Sequence, residues 1–189
     1  VQLLNPELAA QRAVSLPEML SCRELRQSRQ QRWLTDYRTP LISLTLVSPG
    51  PVKDSPLTRR IFNLALQALE SCFNEHKWQP VAAESYALPT GSEAIIALNI
   101  PAEVIKAAMV RLEQAAPIGR LWDIDVIDTT GRILSRSDNG LSARTCLVCD
   151  NDARVCGRNR THSFEELTQA MEKLLDNSLH SDPQQNAAK

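Results

Sequence analysis

Residues 41–56 read Leu41-Ile42-Ser43-Leu44-Thr45-Leu46-Val47-Ser48-Pro49-Gly50-Pro51-Val52-Lys53-Asp54-Ser55-Pro56, and the fold is decided here. The first seven are apolar and β-branched enough to predict a buried strand. Pro49 to Lys53 is a stiff loop that continues neither strand nor helix. Ser55 and Pro56 then supply the cap and first-turn proline of a long helix reaching about His76, with Ile61, Leu64, Ala65, Ala68, Leu69 and Cys72 on its inner face. A strand handed directly to a helix marks the start of a βα unit.

Downstream, Val81 to Leu88 and Glu93 to Ile100 read as two strands joined by the turn Pro89-Thr90-Gly91-Ser92. Pro101 opens a helix to about Ala115, Leu121 to Ile127 forms a further strand, and Gly131 turns it into a short partner over Ile133 to Ser135. Upstream, Ser15 and Glu18 make a capping box for a helix ending near Tyr37. The expected fold is therefore α+β in one domain, residues 1–189. It comprises an N-terminal helical arm (14–38), a catalytic α/β core (40–136), and a cysteine-rich segment with a C-terminal helix (144–178). The core order is β-α-β-β-α-β. It permits an antiparallel sheet of ferredoxin-like, nucleotidyltransferase-palm-like type.

Composition supports a globular reading: of 189 residues, 43% are hydrophobic and 23% charged, so wholesale disorder and fibrous repeats are excluded. A net charge of −1 argues against bulk electrostatic grip on nucleic acid. No apolar run reaches the length of a membrane helix, and Val1 to Ser15 has no signal pattern, so no membrane association and a cytoplasmic address are expected. Five cysteines without that signal do not suggest a disulfide framework.

The sharpest chemical feature is Gly119-Arg120-Leu121-Trp122-Asp123-Ile124-Asp125-Val126. Strand alternation places Asp123 and Asp125 on one side and Trp122, Ile124 and Val126 on the other. Two carboxylates at this spacing can share a divalent cation, and all-oxygen ligation suits magnesium riding on a phosphorylated substrate. As a bare pattern Asp-x-Asp is weak, and two exposed acids on the polar face of an edge strand explain it more simply. In the β-α-β-β-α-β order, however, the fourth strand lies antiparallel beside the first. Arg120, Asp123 and Asp125 would then meet Lys53 and the N-terminus of the Ser55 helix, with Arg59 and Arg60 one turn away, a metal-triphosphate site in outline.

Cys146, Cys149, Cys156 and His162, spaced x2, x6 and x5, form a second constellation with the ligand set of a closed structural zinc site. The bland reading is small buried cysteines before a helix capped by Ser163 and Glu166. Arg23, Arg26, Arg29 and Arg32 spread around their helix as a broad basic surface, as do the arginines at 144, 154, 158 and 160 near the cysteines. Such surfaces suit an acidic protein partner.

Val14-Ser15-Leu16-Pro17-Glu18 with the Arg23 to Trp33 helix, Pro49 to Ser55, Arg59-Arg60-Ile61-Phe62-Asn63, Gly119 to Asp125 and the cysteine-histidine tail together closely resemble the CitX family, apo-citrate lyase phosphoribosyl-dephospho-CoA transferases. The resemblance runs from about residue 3 to about residue 175. It implies transfer of a phosphoribosyl-dephospho-CoA group from triphosphoribosyl-dephospho-CoA to a serine of the citrate lyase acyl carrier subunit (gamma chain), with release of pyrophosphate, in bacterial cytoplasm. It also implies Mg²⁺ at Asp123 and Asp125, by similarity to the Gly-x-x-Asp-x-Asp motif of the malonate decarboxylase counterpart. Lys53, Arg59, Arg60 and Arg120 become the candidate phosphate-binding cations, and the Arg23 to Arg32 surface the candidate carrier dock. The competing readings are a non-enzymatic zinc-containing binding module and a nucleotidyltransferase for another donor.

Overall fold

Helix α1 (Leu16–Tyr37) begins at the capping box, where Ser15 accepts from the Glu18 N–H and Glu18 accepts from the Ser15 N–H, and ends at Arg38 in the left-handed conformation. After Thr39-Pro40 the chain enters β1 (Leu41–Leu46), then α2 (Pro56–His76) behind the Ser55 cap, β2 (Pro80–Tyr86), β3 (Glu93–Leu98) and α3 (Ala102–Ala115). A 3₁₀ turn over Pro117–Leu121 leads into β4 (Trp122–Ile127) and the two-residue β5 (Ile133–Leu134). Two further helices follow, α4 (Ala153–Asn159) and α5 (Phe164–His180). The computed structural model describes residues 1–134 and 145–180. Ser135, Arg136 and Arg144, which belong to elements expected from sequence, lie outside the described residues. The short helix α4, within the cysteine-rich segment, was not expected from sequence.

The strands form one antiparallel sheet in the order β2-β3-β1-β4-β5. β1 sits in the middle, with Leu41 opposite Ile127 and Leu46 opposite Trp122 on one side, and Leu41 opposite Ala97 on the other. Alternation assigns the two faces. Ile42, Leu44, Ile96, Leu98, Ile124 and Val126 join Ile61, Phe62, Leu69, Ile105 and Met109 in the main core under α2 and α3, and α5 adds Met171 and Leu175. The opposite face carries Leu41, Ile95, Ala97 and Ile127, which pack on Trp33 of α1, and the polar Ser43, Thr45, Asp123 and Asp125. One end of this face, at Leu41, Ala97 and Ile127, is apolar, and the other, at Thr45 and Asp123, is polar.

β4 is paired by β5 only at Val126 and Ile127, which leaves its other end to be closed differently. The Ile124 N–H donates to the Glu113 carboxylate (3.2 Å) and the Ile124 carbonyl accepts from Lys106 Nζ (3.3 Å), both side chains buried on α3. Charged side chains thus stand in for a missing strand and satisfy backbone groups that burial would otherwise penalise. Gly119 belongs to the same closure. A Cβ there would come within 2.3 Å of the Glu113 carbonyl oxygen, so only glycine lets the 3₁₀ turn pass the end of α3.

The first residues of the chain are tied across α2. Asn63 exchanges two hydrogen bonds with the backbone of Leu4, and Arg59 donates to the Asn5 carbonyl. Arg59 also grips Asp54 through Nε (2.7 Å) and a terminal nitrogen (2.8 Å), while Asp54 accepts from the Ala10 N–H (2.7 Å). Both charged groups are buried, Asp54 at 1% exposure and Arg59 at 5%. Among the described residues no helix is long and apolar enough to cross a membrane. Replacing Asp54 by Ala strands a buried guanidinium; the expected loss is about 3–5 kcal/mol, read from the urea midpoint, and an unchanged midpoint contradicts a structural role for the pair.

Candidate active site

The polar end of the sheet face is built by register. Asp123 lies opposite Thr45 and Asp125 opposite Ser43, so two carboxylates and two hydroxyls alternate outward on neighbouring strands. Strand alternation accounts for this because β4 has no bulge against β1. α1 then crosses this face. Gln30 donates to Ser43 Oγ (3.0 Å), and Arg23 and Arg26 border both clefts into which the carboxylates open. One cleft, about 250 Å³, brings together Arg23, Thr45, Lys53, Thr90, Ser92 and Asp123. The other, about 860 Å³, runs from Asp125 between α1 and the β4–β5 turn.

Glu93, the first residue of β3, anchors the crossing helix. Its carboxylate, 3% exposed, accepts from Arg26 Nε (2.9 Å) and Nη2 (2.6 Å), from Arg29 Nη1 (2.8 Å) and from the Cys22 thiol (3.1 Å). Burial pushes the Glu93 carboxyl up, but the Arg26 and Arg29 guanidiniums and the thiol more than offset this and hold it below its ordinary value. Arg29 also stacks on Tyr86, 3.9 Å from the ring centre. The broad basic surface expected over Arg23 to Arg32 is thereby corrected. Arg26 and Arg29 face the sheet because they share a stripe with Cys22, Gln30 and Trp33, while Arg23 and Arg32 stay exposed.

Lys53 projects from the β1–α2 loop into the Asp123 cleft and donates to the Ser48 carbonyl. Burial, and then the nearby Arg23 charge, hold its ammonium below the ordinary lysine value. Lys53 and Arg23, with Arg26 held on Glu93 at the same lining, make this small cleft receptive to an anion. Ser92 Oγ lines the same space, buried and without a hydrogen-bond partner among the described residues. The other expected phosphate ligands lie elsewhere. Arg59 is buried on Asp54, and Arg60 is exposed 3.7 Å from Glu7. Arg120 turns away from the carboxylates to donate to the Thr145 (2.7 Å) and Cys146 (2.8 Å) carbonyls. It sits in the 3₁₀ turn, where strand alternation does not apply. Arg23, Arg26, Thr90 and Ser92 were not assigned to the site from sequence, because the helix and hairpin reach it only through tertiary packing. The signal for α1 was present in the spacing of Cys22, Arg26, Arg29, Gln30 and Trp33.

Beyond Arg120 the thiols and imidazole converge. The ligand atoms of Cys146, Cys149, Cys156 and His162 all lie within 4.8 Å of one another, with Cys149 Sγ 3.6 Å from Cys156 Sγ and 3.2 Å from His162 Nε2. Tetrahedral zinc with bonds of about 2.3 Å to sulfur and about 2.0–2.1 Å to nitrogen needs such spacings, so the set fits a metal ion. The Cys146 N–H donates to the Asn151 carbonyl (2.7 Å), closing the loop that presents the first two thiols. Burial pushes the Cys146 thiol up, but the Val148 and Cys149 N–H groups and neighbouring thiols bring it below the ordinary value. Burial and those neighbours push Cys156 up to about 11. Adjacent thiolates repel unless a cation lies between them.

Fold and clefts together define a single-domain α+β protein with a carboxylate-and-cation site beside a four-ligand thiol-imidazole cluster. A family model described as CitX, apo-citrate lyase phosphoribosyl-dephospho-CoA transferase, matches residues 14–178. A Shigella flexneri protein named apo-citrate lyase phosphoribosyl-dephospho-CoA transferase is 45% identical over 173 residues, covering 92% of this chain and 94% of that relative. Proteins of the same name from Escherichia coli and Shigella boydii show the same identity and coverage. The chain belongs to the CitX family.

The depressed Glu93 carboxyl gives a stability term with a defined sign. It is fully present above the ordinary carboxyl value of 4.5 and is lost as pH falls from there through the lower folded-state value. Wild type should exceed Glu93→Gln in melting temperature by a constant margin near pH 7, and the margin should shrink below about pH 4.5. Thermal melts across that range check it, and a margin that grows on acidification contradicts the assignment.

Proposed function

We propose that this chain transfers a phosphoribosyl-dephospho-CoA group from its triphosphoribosyl precursor to a serine of the acyl carrier (gamma) subunit of apo-citrate lyase, releasing pyrophosphate. The carrying observation is identity at 45% across 92% of the chain to relatives named for that transfer. In this reading the Asp123 cleft holds the triphosphate, and the β-α-β-β-α-β core acts as a ferredoxin-like palm whose β4 presents the carboxylates. Asp123 and Asp125, with Thr45 opposite, offer the oxygen-only donors that magnesium prefers. A magnesium ion there would supply charge neutralisation on the phosphates.

The residues of the chain do the rest. Lys53 and Arg23 neutralise the departing pyrophosphate, and Ser92 Oγ donates to a phosphate oxygen. The carrier serine oxygen forms a bond to the phosphorus attached to the ribose, and the bond from that phosphorus to the bridging oxygen breaks. The bond electrons leave with pyrophosphate, and the serine proton passes to a carboxylate of the pair. Leu16 and Leu20, exposed on the flank of α1 that carries Arg23, give the carrier an apolar and basic landing beside the cleft.

Incubation with apo-carrier, triphosphoribosyl-dephospho-CoA and magnesium, followed by intact-mass measurement of the carrier, tests the reading. Wild type should add one phosphoribosyl-dephospho-CoA, and Asp123→Asn should lower the rate by about 100-fold or more; an unmodified carrier, or full rate in the variant, contradicts it.

For the cluster the reading is a structural zinc, because four protein ligands leave no position open for substrate. Elemental analysis should find one zinc per chain, and Cys149→Ala should lose it. Metal-free protein with an unchanged melting temperature contradicts a structural role.

A further inference from the structure

A third cleft, about 760 Å³, lies between the β1–α2 loop and the cysteine-histidine lobe. It takes no part in the transfer chemistry above. One wall is Val47, Ser48, Pro49 and Gly50; the other includes Leu147, Leu167 and Phe164, with Arg160 also on its lining. Phe164, at the first turn of α5, is 60% exposed although its ring lies against Gly50, where an added Cβ would sit 3.4 Å from the ring. An aromatic ring left open beside an apolar cleft offers a face on which a flat ring can stack.

Position gives the second argument. Ser48 lines both this cleft and the Asp123 cleft, so the two chambers share one stretch of loop as their partition. The first chamber is small and charged and suits a triphosphate. The second has the volume and apolar character of a small-molecule site, with one guanidinium. A donor with a polyphosphate at one end and a base with a long, largely uncharged arm at the other matches the pair in order and polarity. The cleft beside Asp125 is lined by arginine, glutamine and threonine side chains together with Leu34, Ile127 and Ile133, and among the described residues it has no aromatic to receive a base.

From this we infer that the cleft between the Pro49–Gly50 loop and the cysteine-histidine lobe binds the dephospho-CoA portion of the donor, with the adenine stacked on Phe164, the diphosphate near Arg160 and the pantetheine arm along Leu147 and Leu167. The inference rests on the proposed donor. It gives the cysteine-histidine cluster a task, since Cys146, Cys156 and His162 form part of the same wall and a metal that fixes them would fix the cleft.

Dephospho-CoA alone, which lacks the triphosphoribosyl group, serves as the probe in isothermal titration against the full chain. Wild type should bind it saturably. Phe164→Ala should weaken binding by about tenfold or more, and Phe164→Trp should restore it. Because the ring is mostly exposed, Phe164→Ala should keep the wild-type melting temperature, which separates loss of the ligand from loss of the fold. No binding to wild type, or equal binding to Phe164→Ala, overturns the assignment. Carrier labelling by wild type without any Phe164 effect on binding sinks the cleft and leaves the transfer reading intact. Phe164-dependent binding without carrier labelling supports the cleft and sinks the transfer reading instead.

Discussion

The buried pairing of Asp54 with Arg59 is the constraint on which the site depends. It fixes the loop between β1 and α2 from behind, and the same carboxylate receives the N-terminal segment through Ala10. Everything that loop offers forward follows from that anchorage: Lys53 in one chamber, Gly50 against Phe164 in the other, and Ser48 between them. A buried ion pair is a poor source of net stability compared with apolar packing, but breaking it is costly. That asymmetry makes it effective at holding a loop in a single position.

A second set of buried charges performs the analogous task for α1. Glu93 gathers Arg26 and Arg29 beneath the helix, and the apolar contact of Trp33 with Leu41, Ile95 and Ile127 secures the far end. The helix therefore lies over half a sheet face and stops short of filling the polar end. Arg23 is left at the mouth of the opening, next to Asp123 and Lys53. The cleft exists because one end of the interface is packed by apolar side chains and the other is held apart by charged ones.

The cysteine-histidine lobe is joined to this core through Arg120. Its guanidinium bonds to the carbonyls of Thr145 and Cys146, and its backbone belongs to the turn that Gly119 allows to pass α3. The glycine and arginine of the Gly119 to Asp125 segment thus serve position, while its two aspartates face the two clefts under α1. Adjacent residues in one motif divide their work between architecture and chemistry.

Much of this was legible in the order of residues. Strand alternation alone puts Asp123 and Asp125 on one face, the Ser15 and Ser55 caps mark where helices begin, and the spacing of three cysteines and a histidine announces a ligand set. These are local consequences of backbone geometry and need no partner to be true. The roles of the arginines were not legible in the same way. Arg59 resembles a phosphate ligand near a helix N-terminus, yet it is consumed by Asp54, and Arg120 is consumed by carbonyls 25 and 26 residues away. A long cationic side chain reaches whichever anion or carbonyl the fold brings nearest, and only the packing of α1, the N-terminal segment and the cysteine lobe decides which that is. The sequence by itself determined the strands and the four longer helices, the faces of the strands and the metal-ligand spacing; tertiary structure decided which charges are buried in the scaffold and which face the clefts.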